Sequence, residues 1–193
     1  MNILAHLHLA TLANSSIIGN VAADFVKGDP YQQFPQVIAD GIMLHRRLDK
    51  LVDQMTEVKQ ARNLFQPTHQ RVAPITLDIV WDHFLAKHWH HFNPDCDLVI
   101  FNQRMKNEIN HQIQLFSQDC QQFMQHVWQG EWLMNYANLD FISKVLNGMA
   151  NRRPKLFLIR DTVVDIHQNY SQLETHFFQF YPVLISQAQA KRL

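Results

Sequence analysis

Punctuation is what most constrains this chain. Its 193 residues hold only five glycines and seven prolines, with turn-like groupings at "KGDP" (27–30), "FP" (34–35), "QP" (66–67), "RRP" (152–154) and "YP" (181–182). Gly and Pro are the strongest local breakers of regular structure, so the long stretches between them are free to be helical. Apolar residues in those stretches recur at spacings of three and four: Ile42, Leu44, Leu48, Leu51 and Val52; Ile79, Val80, Phe84 and Leu85; Leu156, Ile159, Val163 and Ile166. That is the period of a helix with one buried face, whereas strand alternation flanked by a turn pair occurs only at "LNGMA", where the helical context favours a helix end. The pattern predicts an all-α, single-domain helical bundle spanning 1–193. Helices are expected near 2–26 with a break at Asn14-Ser15-Ser16, 36–55, 57–65, 75–91, 97–127, 131–147 and 155–190 with an interruption near Pro182. The Gln-rich zone 111–125 reads as a solvated helical face, and no repeat, linker or low-complexity tract marks a domain boundary.

Charge narrows the partners. Lys plus Arg and Asp plus Glu each number 17, so no global field draws in nucleic acid or an anionic membrane, and any electrostatic partner must meet a local patch. Cys96 and Cys120 are the only cysteines, with no disulfide framework and no CxxC pair, which suits a reducing compartment and argues against a cysteine zinc site. The apolar N-terminal stretch lacks the basic start of an export signal, since the first Lys or Arg is Lys27. No run reaches the roughly 18 apolar residues of a membrane span. A cytoplasmic location follows as the expectation.

The polar residues that interrupt the apolar helices are the candidates for chemistry. Asn20 and Asp24, His45 and Asp49, and Asp78 and Asp82 are each four apart and embedded in apolar sequence. Helix geometry brings each such pair onto one face. A carboxylate buried without a partner costs several kcal/mol, so such aspartates call for a cation, a cluster of donors or a metal, which three helices can share. Mg²⁺ and Mn²⁺ favour carboxylate oxygen and Mn²⁺ or Fe²⁺ also accepts imidazole, so a mixed His/Asp set suits a hydrolytic metal centre, where the ion acidifies bound water and polarises a phosphoryl oxygen. Each residue also has an ordinary use. His6 and His8 point different ways on a helix; Asp24 can end a helix; His45, Arg46 and Asp49 can form a surface ion-paired face; Asp78 can sit at a helix N-terminus. The histidines of "LDIVWDHFLAKHWHH" (77–91) at 88, 90 and 91 read as a solvated helix end. Nucleophile elbows, phosphate-cradling glycine loops and HExxH are absent. Metal-assisted hydrolysis remains, or no chemistry at all.

Five blocks, "MNILAHLHLA", "SSIIGNVAADFVKG", "GIMLHRRLDKLVD", "RVAPITLDIVWDHFLAKHW" and "FISKVLNGMANRRPKL", together resemble the acyl carrier protein phosphodiesterase (holo-acyl carrier protein hydrolase) family, in order and spacing, from Met1 into the C-terminal region. The resemblance implies hydrolysis of the phosphodiester that links 4'-phosphopantetheine to a serine of holo-acyl carrier protein. It implies a divergent HD-domain-like helical fold and Mn²⁺ as the ion. The chain departs from the HD pattern, because it has no contiguous His-Asp and "DH" at 82–83 runs in reverse. On this reading His6, Asp24, Asp78 and Asp82 form the metal shell with His8 in reserve for His6. His83 is then a ligand or proton-transfer group, His45 a ligand or general acid, Arg46 a phosphoryl clamp and Asp49 the residue that orients His45. The carrier is small and acidic, so a basic face is expected from Arg46, Arg47, Arg62 and Arg71 and from Arg152, Arg153, Lys155 and Arg160. Phe65, Leu156 and Phe157 stand beside these cations, although core packing is the commoner use of each. The rival readings are an HD-like phosphohydrolase acting on a nucleotide or another small diester, and a non-catalytic helical adaptor for an acidic partner.

Overall fold

The computed structural model describes residues 1–193. Twelve α-helices follow one another: α1 (Ile3–Leu12), α2 (Ile17–Ala22), α3 (Gln36–Gln54), α4 (Thr56–Arg62), α5 (Ala73–Lys87), α6 (Trp89–Phe92), α7 (Leu98–Gln112), α8 (Gln118–Gln129), α9 (Trp132–Asn135), α10 (Leu139–Arg152), α11 (Val163–Gln168) and α12 (Tyr170–Gln189). Short 3-10 segments join several of them, including Ala23–Phe25 after α2 and Pro154–Thr162 after α10. No strand occurs, so the all-α expectation holds. None of the helices is long and apolar enough to cross a membrane.

Two helices are buried nearly all round and set the frame for the rest. Ile3 to Ala10 of α1 are all buried, and so are Ile79 to Ala86 of α5. A helix apolar on every side belongs in the interior, whereas a one-sided helix covers it. α2, α3, α5 and α12 pack on α1, and α10 and the 154–162 segment pack on α5. The first N–H groups of α1 have no side-chain cap of their own. Asp82 of α5 supplies it from across the core: Leu4 N–H donates to its Oδ2 at 2.7 Å and Ala5 N–H to its Oδ1 at 3.0 Å. α2 crosses α3 where Gly19 meets Gly41. A Cβ at Gly19 would lie 2.4 Å from the Ile38 carbonyl oxygen, and one at Gly41 would lie 2.7 Å from that of Ser16.

Several expected helices prove to be two, and a cap explains most divisions. The expected break at Asn14-Ser15-Ser16 occurs, with Ser16 accepting the Gly19 N–H to start α2. Ser117 accepts the Cys120 N–H and starts α8, which divides 97–127 and leaves Phe116, Cys120 and Met124 buried within the expected solvated Gln-rich face. Asn138 accepts the Asp140 N–H and starts α10, dividing 131–147. The stretch 155–190 opens as a 3-10 segment and is broken at Asn169. Pro182, expected to interrupt it, lies inside a continuous α12. Pro182 is exposed, so the hydrogen bond its ring cannot donate is missing only on the solvent side of the helix.

Candidate metal centre

His6 on α1 and His45 on α3 lie face to face, their ring centroids 3.7 Å apart and their planes at 12°. Both reach one carboxylate, that of Asp49, one turn beyond His45. His6 Nε2 is 3.0 Å from Asp49 Oδ1, and His45 Nε2 is 3.1 Å from Asp49 Oδ2. Asp24, in the 3-10 turn that ends α2, brings Oδ1 to 3.4 Å from His45 Nε2. Asp78 on α5 closes the group through the Met1 amino group, which donates to Asp78 Oδ1 at 2.8 Å and to Asp49 Oδ1 at 3.3 Å. The imidazoles are the floor, 2 and 7% exposed, and the carboxylates are the mouth, with Asp24, Asp49 and Asp78 at 78, 40 and 42%.

The two stacked rings differ in proton affinity. Burial, then the facing His45, pushes His6 down to about 4. Burial opposes a charge on His45 too, but the Asp24 and Asp49 carboxylates outweigh it and raise it to about 9. Asp49 is held well below the usual carboxylate range because contact with His45 and His6 overcomes its burial. Contact with His45 lowers Asp24, while burial raises Asp78 in spite of the neighbouring ammonium.

His45 Nε2 points squarely at neither carboxylate, so this buried nitrogen has no aligned hydrogen bond. An orphaned buried nitrogen between two carboxylates, beside a second imidazole, is a donor set for a cation larger than a proton. His6, His45 and Asp49 each offer an atom within 4.8 Å of the others. Such a set fits a divalent metal of the borderline kind that accepts imidazole with carboxylate.

The remaining residues named from the sequence lie around or away from this group. Asp82 is fully buried behind it, both oxygens taken by the N–H groups of α1. Burial pushes its carboxyl up to about 7 against those donors. His8 faces away, its Nδ1 2.9 Å from the Tyr181 hydroxyl. His83 is part of a different network, Nδ1 at 2.8 Å from the Tyr136 carbonyl and Nε2 at 2.7 Å from the Tyr170 hydroxyl. Arg46 spends its guanidinium on the carbonyls of Val26 (2.6 Å) and Gly28 (2.9 Å), which pins the loop that follows Asp24. Arg47, Arg152, Arg153 and Lys155 are exposed. Among the terminal histidines of the 77–91 stretch, His88 pairs with Glu174 at 2.7 Å and His90 lies 3.7 Å from Asp97. Sequence reasoning missed the Met1 amino group, for which no residue pattern exists. It also missed the buried pair His69 Nδ1 and Asp165 Oδ2, 2.5 Å apart, whose partners are 96 positions distant in the chain.

Comparison with known proteins bears on what this group serves. A family model described as acyl carrier protein phosphodiesterase matches residues 1–184. Relatives carrying that name include one from Serratia proteamaculans, 47% identical over 193 residues, one from Yersinia enterocolitica, 48% identical over 193 residues, and one from Escherichia coli O6:H1, 46% identical over 196 residues. Each alignment covers 100% of both chains. No solved structure matches the chain.

Proposed function

The chain belongs to the acyl carrier protein phosphodiesterase family, and from that premise we propose that it is a metal-dependent phosphodiesterase releasing 4'-phosphopantetheine from the serine of holo-acyl carrier protein. The observation that carries the metal is His45 Nε2, buried between Asp49 and Asp24 without an aligned hydrogen bond and stacked against a second imidazole. His6, His45 and Asp49 would hold the ion, and Asp24 and Asp78 would complete its surroundings at the open side. Mn²⁺ fits two imidazoles with carboxylates better than Mg²⁺ or Ca²⁺, which take mostly oxygen. The His–Asp pair would come from one face of α3, one turn apart, rather than from the adjacent His-Asp of HD-type enzymes. One core of 53 buried residues runs from Met1 to Ala188, so the activity would belong to 1–193 as a single domain. Both cysteines are free thiols, in keeping with a reducing, cytoplasmic setting.

Electrostatics explains why such a site needs a cation. Three carboxylates around a mouth repel an anionic diester; a divalent ion held by His6, His45 and Asp49 would offset most of that charge and would supply Lewis acidity toward water and a phosphoryl oxygen. The protein's own groups then handle protons and position. Asp24 is the most open of the carboxylates and would accept a proton from attacking water. Asp49 would hold the His6 ring through the contact at Oδ1 and present its other oxygen beside His45 Nε2. Arg46 holds the 26–28 loop on α3 and thereby keeps Asp24 facing His45. Asp82 fixes the start of α1, from which His6 projects.

Mass spectrometry of holo-acyl carrier protein tests this directly. With this protein and Mn²⁺ the carrier should lose the phosphopantetheine mass, and a chelator should prevent the loss. A carrier left intact by folded, metal-loaded protein refutes the reaction.

A further inference from the structure

Four exposed cations, Arg152, Arg153, Lys155 and Arg160, fall within nine residues at the end of α10 and along the Pro154–Thr162 segment. Arg62 pairs with Asp53 and Lys87 with Glu174, but none of these four has a carboxylate within ion-pair reach. Only Asp161 is both acidic and exposed between 152 and 165, since Asp165 is buried. In a chain whose charges balance at 17 against 17, this amounts to segregation, with positive charge gathered here and negative charge at the metal centre's mouth. Large apolar groups sit in the same patch, Phe157 at 53% exposure and Val164 at 48%. Arg160 Nε donates to the Phe157 carbonyl at 3.1 Å, which holds its guanidinium beside that residue.

The segment is also fixed rather than trailing. Thr162 Oγ1 donates to the Ile159 carbonyl at 2.6 Å and lies 3.0 Å from Thr76 Oγ1. Thr76 is on α5, so the segment is anchored to the helix that also carries Asp78. An aromatic ring among arginines is the composition that carries binding energy at protein interfaces, the ring as anchor and the cations as steering charge. The exposed face of α7, with Val99 and Ile100 at 58 and 63%, differs in that Arg104 and Glu108 there cancel and nothing indicates what would cover it.

We infer that the 152–164 surface docks the protein substrate through an acidic helical face, whose carboxylates pair with Arg152, Arg153, Lys155 and Arg160 around an apolar side chain seated on Phe157 and Val164. The inference rests on the reading that the substrate is a protein, and it adds where that protein sits. The acidic rim of the mouth repels a carrier that presents its carboxylates there instead of to the cations of this surface.

Titration calorimetry with holo-acyl carrier protein tests it, using wild type, Arg153→Glu with Lys155→Glu, Phe157→Ala, and Arg104→Glu on α7 as a charge-reversal control. The double reversal should weaken binding at least about tenfold at low salt and less at high salt, whereas loss of the Phe157 ring should weaken it at both and Arg104→Glu should not. Hydrolysis of bis(4-nitrophenyl) phosphate with Mn²⁺ reports the metal centre without docking. Carrier binding unchanged by the double reversal overturns the inference, as do a parallel loss of small-diester hydrolysis and the absence of carrier binding by wild type. Displacement of the carrier by an equimolar single-stranded oligonucleotide would assign the surface to nucleic acid instead. A carrier that binds at the patch yet keeps its prosthetic group leaves the docking surface standing and refutes the phosphodiesterase reading.

Discussion

Histidine is used in two ways in this protein, and the contrast separates scaffold from site. On one side of α5, His83 has a hydrogen bond at each ring nitrogen, and its Tyr170 partner continues through Lys87 to Glu174 and His88. His69 likewise meets Asp165, whose other oxygen accepts the Gln66 N–H. On the other side, His6 and His45 leave both Nδ1 atoms and one Nε2 buried without partners. Their one shared carboxylate belongs to Asp49. Buried polar groups are almost always satisfied, so His45 Nε2, unsatisfied between the carboxylates of an acidic mouth, marks the place reserved for something else.

The sharpest way to break this contrast is Asp49→Ala. If Asp49 is the hub, the variant should lose bound Mn²⁺ and lose turnover of holo-acyl carrier protein by more than the roughly 100-fold that loss of a supporting residue brings. Metal content by elemental analysis, alongside the rate, decides it. Full metal content with near-normal turnover would remove Asp49 from the site.

Asp165→Ala probes the satisfied side. Breaking a buried His–Asp pair and orphaning the Gln66 N–H should cost about 3 kcal/mol in urea unfolding. Metal content should not change. A stable variant that had lost Mn²⁺ would show that the two regions are not separate.

The difference between the regions also explains what could be read without coordinates. Both members of the His45 and Asp49 pair lie on one helix, so helix periodicity alone brings them together. His6 joins them from another helix, and periodicity is silent on that; only resemblance to a family brought it in. Asp82 illustrates the limit most clearly. Its apolar surroundings demand a partner, and its spacing from Asp78 suggests the same one, yet its oxygens meet the uncapped N–H groups of α1, a kind of partner that leaves no mark in side-chain chemistry. The helical class followed from sparse punctuation, whereas division of the helices depended on single capping residues such as Ser117 and Asn138, which look like any other polar residue in a Gln- and Asn-rich stretch.

Acidity sharpens the comparison further. Burial opposes a proton on His45, but Asp24 and Asp49 hold it there up to about pH 9 in the metal-free protein. A metal needs the lone pair that this proton occupies, so apparent Mn²⁺ affinity should fall about tenfold for each unit of pH below about 9. In the metal-free protein the sign for stability is the reverse of that for metal. The pairing of His45 with its carboxylates supports the fold fully below its ordinary value of 6.5 and is lost as pH rises through about 9. Calorimetric Mn²⁺ titrations at pH 7 and pH 8 check the first effect, and an affinity independent of pH would mean that His45 carries no proton to displace.

The smallest expected effect lies on the satisfied side again, at Tyr170→Phe. The Tyr170 hydroxyl donates to His83 Nε2 at 2.7 Å and accepts from Lys87 at 2.9 Å. Its removal leaves the buried Nε2 without a donor, while Lys87 keeps Glu174 at 2.8 Å. One hydrogen bond's loss should cost about 1 kcal/mol of stability by urea unfolding. Because His83 holds its other nitrogen on the Tyr136 carbonyl, the ring should stay in place and both Mn²⁺ content and carrier turnover should remain at wild-type levels. Turnover that falls while stability and metal content hold would move His83 from scaffold to chemistry, since only a proton-transfer role would be sensitive to losing that hydroxyl without loss of the fold.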